Sequence, residues 1–267
     1  QQLYYMVDKI KARKKVTFFH SDYSKWSYYF KTDKVYFNKV DNIFSISDLC
    51  VKTLKDTFPK VSKKIGLMEN ISSLDLIDNL KSDPKISLPE SFIKINDLNF
   101  VTVGHVSKAK GTDLAIETAI LLKEQGIKFK WYFIGAVKNK PFYDALVTSN
   151  SLQENICFVG VLSNPYPYVY QCDIIVHPSE FEGKSIALDE AKLLCKPIVV
   201  TNFSTVTDQF KHNYNGVIAN MNKQDLSFEI LRVINDEELK NTLVNNLTKE
   251  RKSNVDEVNK LYSILED

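Results

Sequence analysis

Apolar positions along the chain keep two rhythms, and the change between them organises the reading. Leu3, Val7 and Ile10 recur at helical spacing, so residues 2–13 are expected to form an amphipathic helix. Val16-Thr17-Phe18-Phe19 reads as a short buried strand ending at His20-Ser21-Asp22, and residues 42–46 as another. Ser47 then caps a helix running to about Thr57, which Pro59 closes. Residues 82–97, with Ser82, Asp83, Pro84, Ser87 and Pro89, carry turn chemistry and no sustained period. A domain boundary is expected there, separating 1–96 from 97–236.

After that point the alternation becomes regular. Strands fit 100–104, 131–135, 156–160, 174–177, 198–201 and 216–219; helices fit 111–125, 141–149, 164–171, 185–195, 204–211 and 222–234. Strands alternating with helices of this length imply βαβ units and a parallel sheet, hence an α/β class. The strands are continuous apolar runs, as a sheet covered on both faces requires. Residues 237–267 read as a polar helical segment with Leu243, Leu247, Val255, Leu261 and Ile264 on its apolar side, expected to pack back toward the first domain.

Composition narrows the function classes. Of 267 residues 44% are hydrophobic, which excludes a disordered or low-complexity chain. A net charge of +2 gives no footprint for a dedicated nucleic-acid binder. Cys50, Cys157, Cys172 and Cys195 sit in apolar contexts without C-x-x-C spacing, so buried reduced thiols are expected. No apolar run approaches the roughly 18 residues of a membrane span. The basic residues are uneven: 17 Lys+Arg against 11 Asp+Glu over 1–96, and 18 against 22 in the rest. A basic first part suits an anionic membrane surface; it is equally a lysine-rich solvated face.

Candidate chemistry lies just after the strands, because ligands of open parallel sheets bind at the strands' carboxyl ends. The first such segment is Gly104-His105-Val106-Ser107-Lys108-Ala109-Lys110-Gly111, leading into a helix. A lysine beside a helix N-terminus reinforces the anion affinity of the free amides there. Alone, it is also an ordinary surface lysine. The second segment runs from His177 through Pro178, Ser179, Glu182, Gly183, Lys184 and Ser185 to Glu190 and Ala191. Gly183 permits a tight turn, and the amides of Lys184, Ser185 and Ile186 would face an anion. Two carboxylates nearby suit a ligand that also carries hydroxyls, which a nucleotide sugar does.

Taken together, Pro178-Ser179, Glu182-Gly183, Glu190-Ala191 and Lys196-Pro197 resemble the signature of retaining family 4 glycosyltransferases of the GT-B fold, with its E-x7-E motif. Val103-Gly104 with Lys110-Gly111 is similar to that family's diphosphate-binding stretch. Ile134-Gly135, Phe158-Val159-Gly160 and Cys172-Asp173 fall at familiar strand ends. The wording around Asn164-Pro165-Tyr166-Pro167-Tyr168 resembles a bacterial surface-polysaccharide subgroup. Residues 14–22, 41–47 and 59–70 resemble strands of the family's N-terminal domain.

The resemblance implies a GT-B type fold: a C-terminal Rossmann-like parallel-sheet domain and a partial N-terminal one on the acceptor side. It implies transfer with retention from a nucleotide-sugar donor, a UDP-sugar above all, to a saccharide or lipid-linked acceptor in capsule or other surface-polysaccharide synthesis. Glu190 would bind ribose hydroxyls and Glu182 the donor sugar. Gly183, Lys184 and Ser185 would present amides to the diphosphate, and Lys110 would neutralise it. His20 would reach the sugar from the opposite domain. Gly104 and His105 would flank the diphosphate, and Gly135 and Gly160 would wall the base pocket. The family usually carries Arg where this chain has His105, a weaker counter-ion; the alternatives are a lower donor affinity or substitution by Lys108 or Lys184. No metal and no other cofactor is expected, nor any nucleic-acid partner. The expected location is cytoplasmic, peripheral at the inner membrane face. A weakly active nucleotide-sugar-binding subunit, or an epimerase, are the alternatives. Only about 96 residues precede the second domain, so the chain is expected to be an N-terminally truncated piece, or to need a partner to complete its first sheet.

Overall fold

The computed structural model describes residues 2–25, 29–89, 92 and 98–266, so the expected 96/97 boundary lies outside the described residues. The chain divides into two compact units. The first is Gln1–Ser72 with Glu182–Ser185 and Asn254–Asp267; the second is Ser73–Phe181 with Ile186–Ser253.

In the first unit, strands β1 (Val16–Phe19), β2 (Asn42–Ser45) and β3 (Ile65–Leu67) pair in parallel in that order. Helices α1 (Gln2–Lys9), α2 (Phe30–Phe37) and α3 (Asp48–Thr57) accompany them. One sheet face sends Ile43 and Ile65 into a core with Val51, Leu54 and Phe58. Ser47 caps α3 as expected, its hydroxyl accepting from the Cys50 amide at 3.3 Å. Helix α1 stops earlier than the spacing predicts. The basic run beyond it folds back, and Lys15 Nζ donates to the Val7 carbonyl at 2.9 Å, satisfying one of the helix-end acceptors. Helix α2 was not legible as a period because its inward face holds a carboxylate. Asp33 is buried and accepts from the hydroxyls of Tyr4 at 2.6 Å and Tyr23 at 2.7 Å.

The second unit holds β4 (Leu98–Val103), β5 (Phe129–Ile134), β6 (Ile156–Gly160), β7 (Ile174–His177), β8 (Ile198–Thr201) and β9 (Val217–Ala219). All pair in parallel, in the order β6-β5-β4-β7-β8-β9. Successive residues serve opposite faces. Phe100, Trp131 and Val176 enter one core, while Val101, Tyr132 and Ile175 enter the other. Both faces are therefore covered, which is why the strands read as unbroken apolar runs. Helices α4 (Leu74–Leu80), α5 (Thr112–Glu124), α6 (Lys140–Ser149), α7 (Tyr166–Gln171), α8 (Ile186–Leu193), α9 (Lys223–Asn235) and α10 (Glu237–Glu250) complete this unit.

Two expectations change. This unit begins at Ser73, because Ile77 of α4 with Leu88 and Phe92 buries itself in the core beside Val101 and Tyr168. The expected helix at 204–211 is only a 3-10 turn, Val206–Asp208. Phe203, Val206 and Phe210 are buried at helical spacing, but short turns deliver them. The C-terminal segment holds two separate helices: α10 lies in the second unit, and α11 (Asn259–Glu266) lies in Asn254–Asp267 of the first.

Candidate functional site

The strand order places one switch point in the second sheet. From β4 the chain adds β5 and β6 on one side, then returns to lay β7 on the other side of β4. Crevices at such points, beyond the carboxyl ends of the strands, are where open α/β sheets take ligands. The two strands that meet there lead into the two segments singled out from sequence.

The loop after β4 is tightly built. The Gly104 amide donates to the Ile134 carbonyl at 2.9 Å and the Val106 amide to Ala136 at 2.9 Å, so the chain runs beside the exit of β5 past the sheet. Lys108–Lys110 forms a 3-10 turn, with the Lys110 amide donating to Ser107 at 3.1 Å. Thr112 accepts from the Ser107 amide through its hydroxyl at 3.0 Å. Gly111 has φ +68° and a Cβ there would lie 1.8 Å from the Pro178 carbonyl oxygen. Only glycine meets both demands. The Glu180 amide donates to the Ala109 carbonyl at 3.2 Å, tying the same two loops together. Gly135, at the end of β5, is the other close approach: its Cβ would sit 2.1 Å from the Gly104 carbonyl oxygen. Its amide donates to Gly160 at 2.8 Å, so Gly104, Gly135 and Gly160 line up across three adjacent strand ends. His105 is exposed and Lys110 is half-buried.

After β7, buried Thr201 donates its hydroxyl to the Ser179 carbonyl at 2.6 Å, and the His177 carbonyl lies 3.2 Å from the same oxygen. Helix α8 carries Glu190 on its half-buried side, with Leu188 and Ala191 in the core. The Tyr166 hydroxyl donates to Glu190 Oε1 at 2.8 Å. Burial holds the Glu190 carboxyl above the usual carboxylate range; the charge of Asp189 pushes the same way, and the Tyr166 hydrogen bond opposes both. Lys110, Gly104, His105, Gly135, Gly160 and Glu190 thus belong to one unit, at one end of one sheet.

The other expected site residues belong to the first unit. His20 follows β1 and is exposed, its ring stacked 6.0 Å from that of Phe18. Glu182, Gly183 and Ser185 are buried. A Cβ on Gly183 would lie 2.7 Å from the His20 carbonyl oxygen and 2.9 Å from Ser21 Cα. Glycine is needed here for close approach; its φ is not in the left-handed region the tight turn suggested. Cys50 Sγ lies 3.6 Å from the Gly183 carbonyl oxygen. Lys184 is corrected as a stand-in cation. Its ammonium is paired with Glu69, with only 8% of the side chain exposed. Among the described residues no group of three His, Cys, Asp or Glu is placed to hold a metal. None of the four cysteines is in a disulfide; Cys50 and Cys172 are buried as expected, whereas Cys157 and Cys195 are only half-buried.

A family model described as "Glycosyl transferases group 1" matches residues 86–250, more than half of the chain. The chain belongs to this family. The Staphylococcus aureus poly(ribitol-phosphate) alpha-N-acetylglucosaminyltransferase is 29% identical over 192 residues, covering 67% of this chain and 38% of that one. A Campylobacter jejuni N-acetylgalactosamine-N,N'-diacetylbacillosaminyl-diphospho-undecaprenol 4-alpha-N-acetylgalactosaminyltransferase is 25% identical over 221 residues, 82% and 58% of the two chains. This chain therefore spans less than two thirds of the length of either relative. Anabaena Alr3699/HepE in complex with UDP superposes with a TM-score of 0.79 at 17% identity, over 95% of this chain and 72% of that one. The fold is α/β of the GT-B glycosyltransferase type. No helix among the described residues is long and apolar enough to cross a membrane.

One residue escaped the sequence reading. The sequence pattern assigns Tyr166 no role. Tyr166 is one of three tyrosines on α7, and spacing alone does not mark which of them meets Glu190.

Proposed function

We propose that this chain is the donor-binding part of a retaining glycosyltransferase that moves a sugar from a UDP-sugar to a saccharide or lipid-linked saccharide in bacterial surface-polysaccharide synthesis. The observation that carries the reading is the switch point: the Lys110–Gly111 turn and the Pro178–Phe181 loop meet there, beside the helix bearing Glu190. Relatives named for N-acetylglucosaminyl and N-acetylgalactosaminyl transfer and a fold neighbour holding UDP support it.

In this reading Glu190 accepts hydrogen bonds from the ribose hydroxyls, and Gly135 and Gly160 leave room for the base. The donor's sugar–phosphate bond breaks first, through an oxocarbenium-like transition state; the acceptor oxygen then bonds to the anomeric carbon on the same face, and its proton passes to the departing diphosphate. Negative charge develops on the departing diphosphate, and Lys110 with the first amides of α5 stabilises it electrostatically. Gly183, Lys184 and Ser185 contribute through backbone amides, since the Lys184 ammonium is engaged by Glu69. Glu182 holds donor hydroxyls, and His20 meets the sugar. The reaction is read as metal-independent, with cationic side chains and helix-end amides taking a metal's role. The groove lined by Lys9, Lys11, Arg13 and Lys15 is read as a contact for an anionic membrane surface.

The test is calorimetric titration with UDP, GDP and ADP, followed by transfer and hydrolysis assays on matching donors, comparing wild type with Glu190→Ala. Binding by wild type that Glu190→Ala loses supports the site. Binding without release of nucleoside diphosphate from any donor favours the binding-subunit reading. Absence of nucleotide binding overturns the assignment.

A further inference from the structure

The Glu190 carboxylate is not left to orient itself. The Tyr166 hydroxyl donates to Oε1 at 2.8 Å, and among the described residues no hydrogen bond to Oε2 is made. Tyr166 is itself fixed. Its amide donates to Asn164 Oδ1 at 3.1 Å, and Asn164, buried, donates Nδ2 to the Leu80 carbonyl at 2.9 Å. Its ring packs against the core beneath the sheet. Pro167 near the start of α7 adds a pre-set backbone at that point. A buried asparagine, a proline-stiffened turn and a packed ring therefore converge on one phenol, and that phenol on one carboxylate.

We propose that Tyr166 is a positioning residue for nucleotide recognition, which locks the Glu190 carboxylate by occupying Oε1 and reserves Oε2 for a ligand diol. The inference rests on the reading of Glu190 as the ribose contact. A carboxylate that is free to rotate pays ordering entropy when it engages two hydroxyls; one that is already held does not. The same hydrogen bond favours the ionised form, which is the form that accepts from hydroxyls. The surrounding charges do not take over this task. Asp189 accepts from Gln209 Nε2 at 2.9 Å, and Lys192 donates to the Gln209 carbonyl at 3.0 Å. On the elements packed against α8, Asp78 is paired with both Lys81 and Arg251, whose Nε also donates to the Leu193 carbonyl at 2.6 Å. Glu250 accepts from Asn215 at 2.9 Å.

Tyr166→Phe keeps the ring and its packing and removes only the donor. Wild type, Tyr166→Phe and Glu190→Gln are titrated with UDP, GDP and ADP between pH 5 and 8, and the Glu190 carboxyl is followed by carbon-13 NMR without ligand. Wild-type affinity should fall on the acid side as Glu190 protonates. Tyr166→Phe should bind about tenfold more weakly at neutral pH and move that acid limb up by about one pH unit, with the NMR midpoint moving alike. Glu190→Gln should bind weakly with no such limb. Coincident acid limbs and NMR midpoints for Tyr166→Phe and wild type overturn the positioning role while leaving Glu190 in place. Unchanged affinity in Glu190→Gln, or no nucleotide bound by wild type, instead overturns the ribose reading and the inference with it.

Discussion

Gly111 joins the two loops of the candidate site, and its replacement by alanine measures that junction. Two costs are expected. The first is conformational: at φ +68° an L-residue is strained by about 1–2 kcal/mol. The second is steric. A Cβ would stand 1.8 Å from the Pro178 carbonyl oxygen, where ordinary contact begins at 3.4 Å. One loop must retreat by roughly 1.5 Å, a repacking that costs about 1–3 kcal/mol in tightly packed sites. The total is about 2–5 kcal/mol. Gly126 supplies the control within the same unit. It has φ +75°, but nothing lies within 4 Å of its would-be Cβ, so Gly126→Ala should cost only the first part. Urea denaturation followed by far-ultraviolet circular dichroism gives both values. Gly111→Ala should exceed Gly126→Ala by about 1–3 kcal/mol, and it should also weaken nucleotide binding, which Gly126→Ala should not. Equal losses would show that the loops after β4 and β7 do not constrain each other as argued.

Other consequences follow from the same geometry. Because folding raises the Glu190 carboxyl, its neutral form is favoured; that contribution to stability is present below the unfolded-chain value and is lost as pH rises through the folded one. Glu190→Gln should therefore raise the melting temperature at pH 7–8, by no more than about 2–4 °C, and leave it unchanged near pH 4. Lys110→Ala should weaken diphosphate binding about tenfold and flatten its salt dependence in calorimetry, whereas Lys110→Arg should retain most of it. Burial pushes the Cys172 thiol up to about 12, so it should resist an aromatic disulfide reagent at pH 8 in the native protein and react on unfolding. Replacing Lys9, Lys11 and Arg13 with Gln should reduce partitioning onto phosphatidylserine vesicles by about 100-fold at low salt, at roughly 1 kcal/mol per charge, and have no effect on neutral vesicles.

Much of the second unit was legible because its physics is repetitive. A strand covered on both faces is largely apolar, and most crossovers here are helical, so β4 to β9 could be read from apolar runs in regular alternation. Legibility failed where a buried position was polar or a period was counterfeit. Asp33 sits where an apolar residue would have revealed α2, and two tyrosine hydroxyls make that burial possible. Phe203, Val206 and Phe210 carry helical spacing without a helix, since turns can present three anchors to one core as well as a helix can. Helix α4 is two turns long and its core contribution is Ile77, too little to make a period.

The site was legible to the extent that its chemistry lies in single residues, and hidden where it lies in pairs. Lys110, Glu182 and Glu190 could be marked because strand ends are where ligands bind and because the residues resemble a known signature. What each is joined to could not be read. Lys184 looked like a spare cation and is half of an ion pair with Glu69, 115 positions away. Gly183 looked like a turn and is a contact: the residue type was right and the constraint different, since the same missing Cβ serves either a positive φ or a close approach. Tyr166 is the plainest case. Nothing in its local sequence specifies a partner, and the role proposed for it exists only through Glu190, 24 positions on. A carboxylate can hold a diol only in a fixed geometry, and geometry is supplied by the second member of a pair. The residues that fix a site are therefore the ones a linear reading is least equipped to find, and the Tyr166→Phe titration asks whether one of them has been found here.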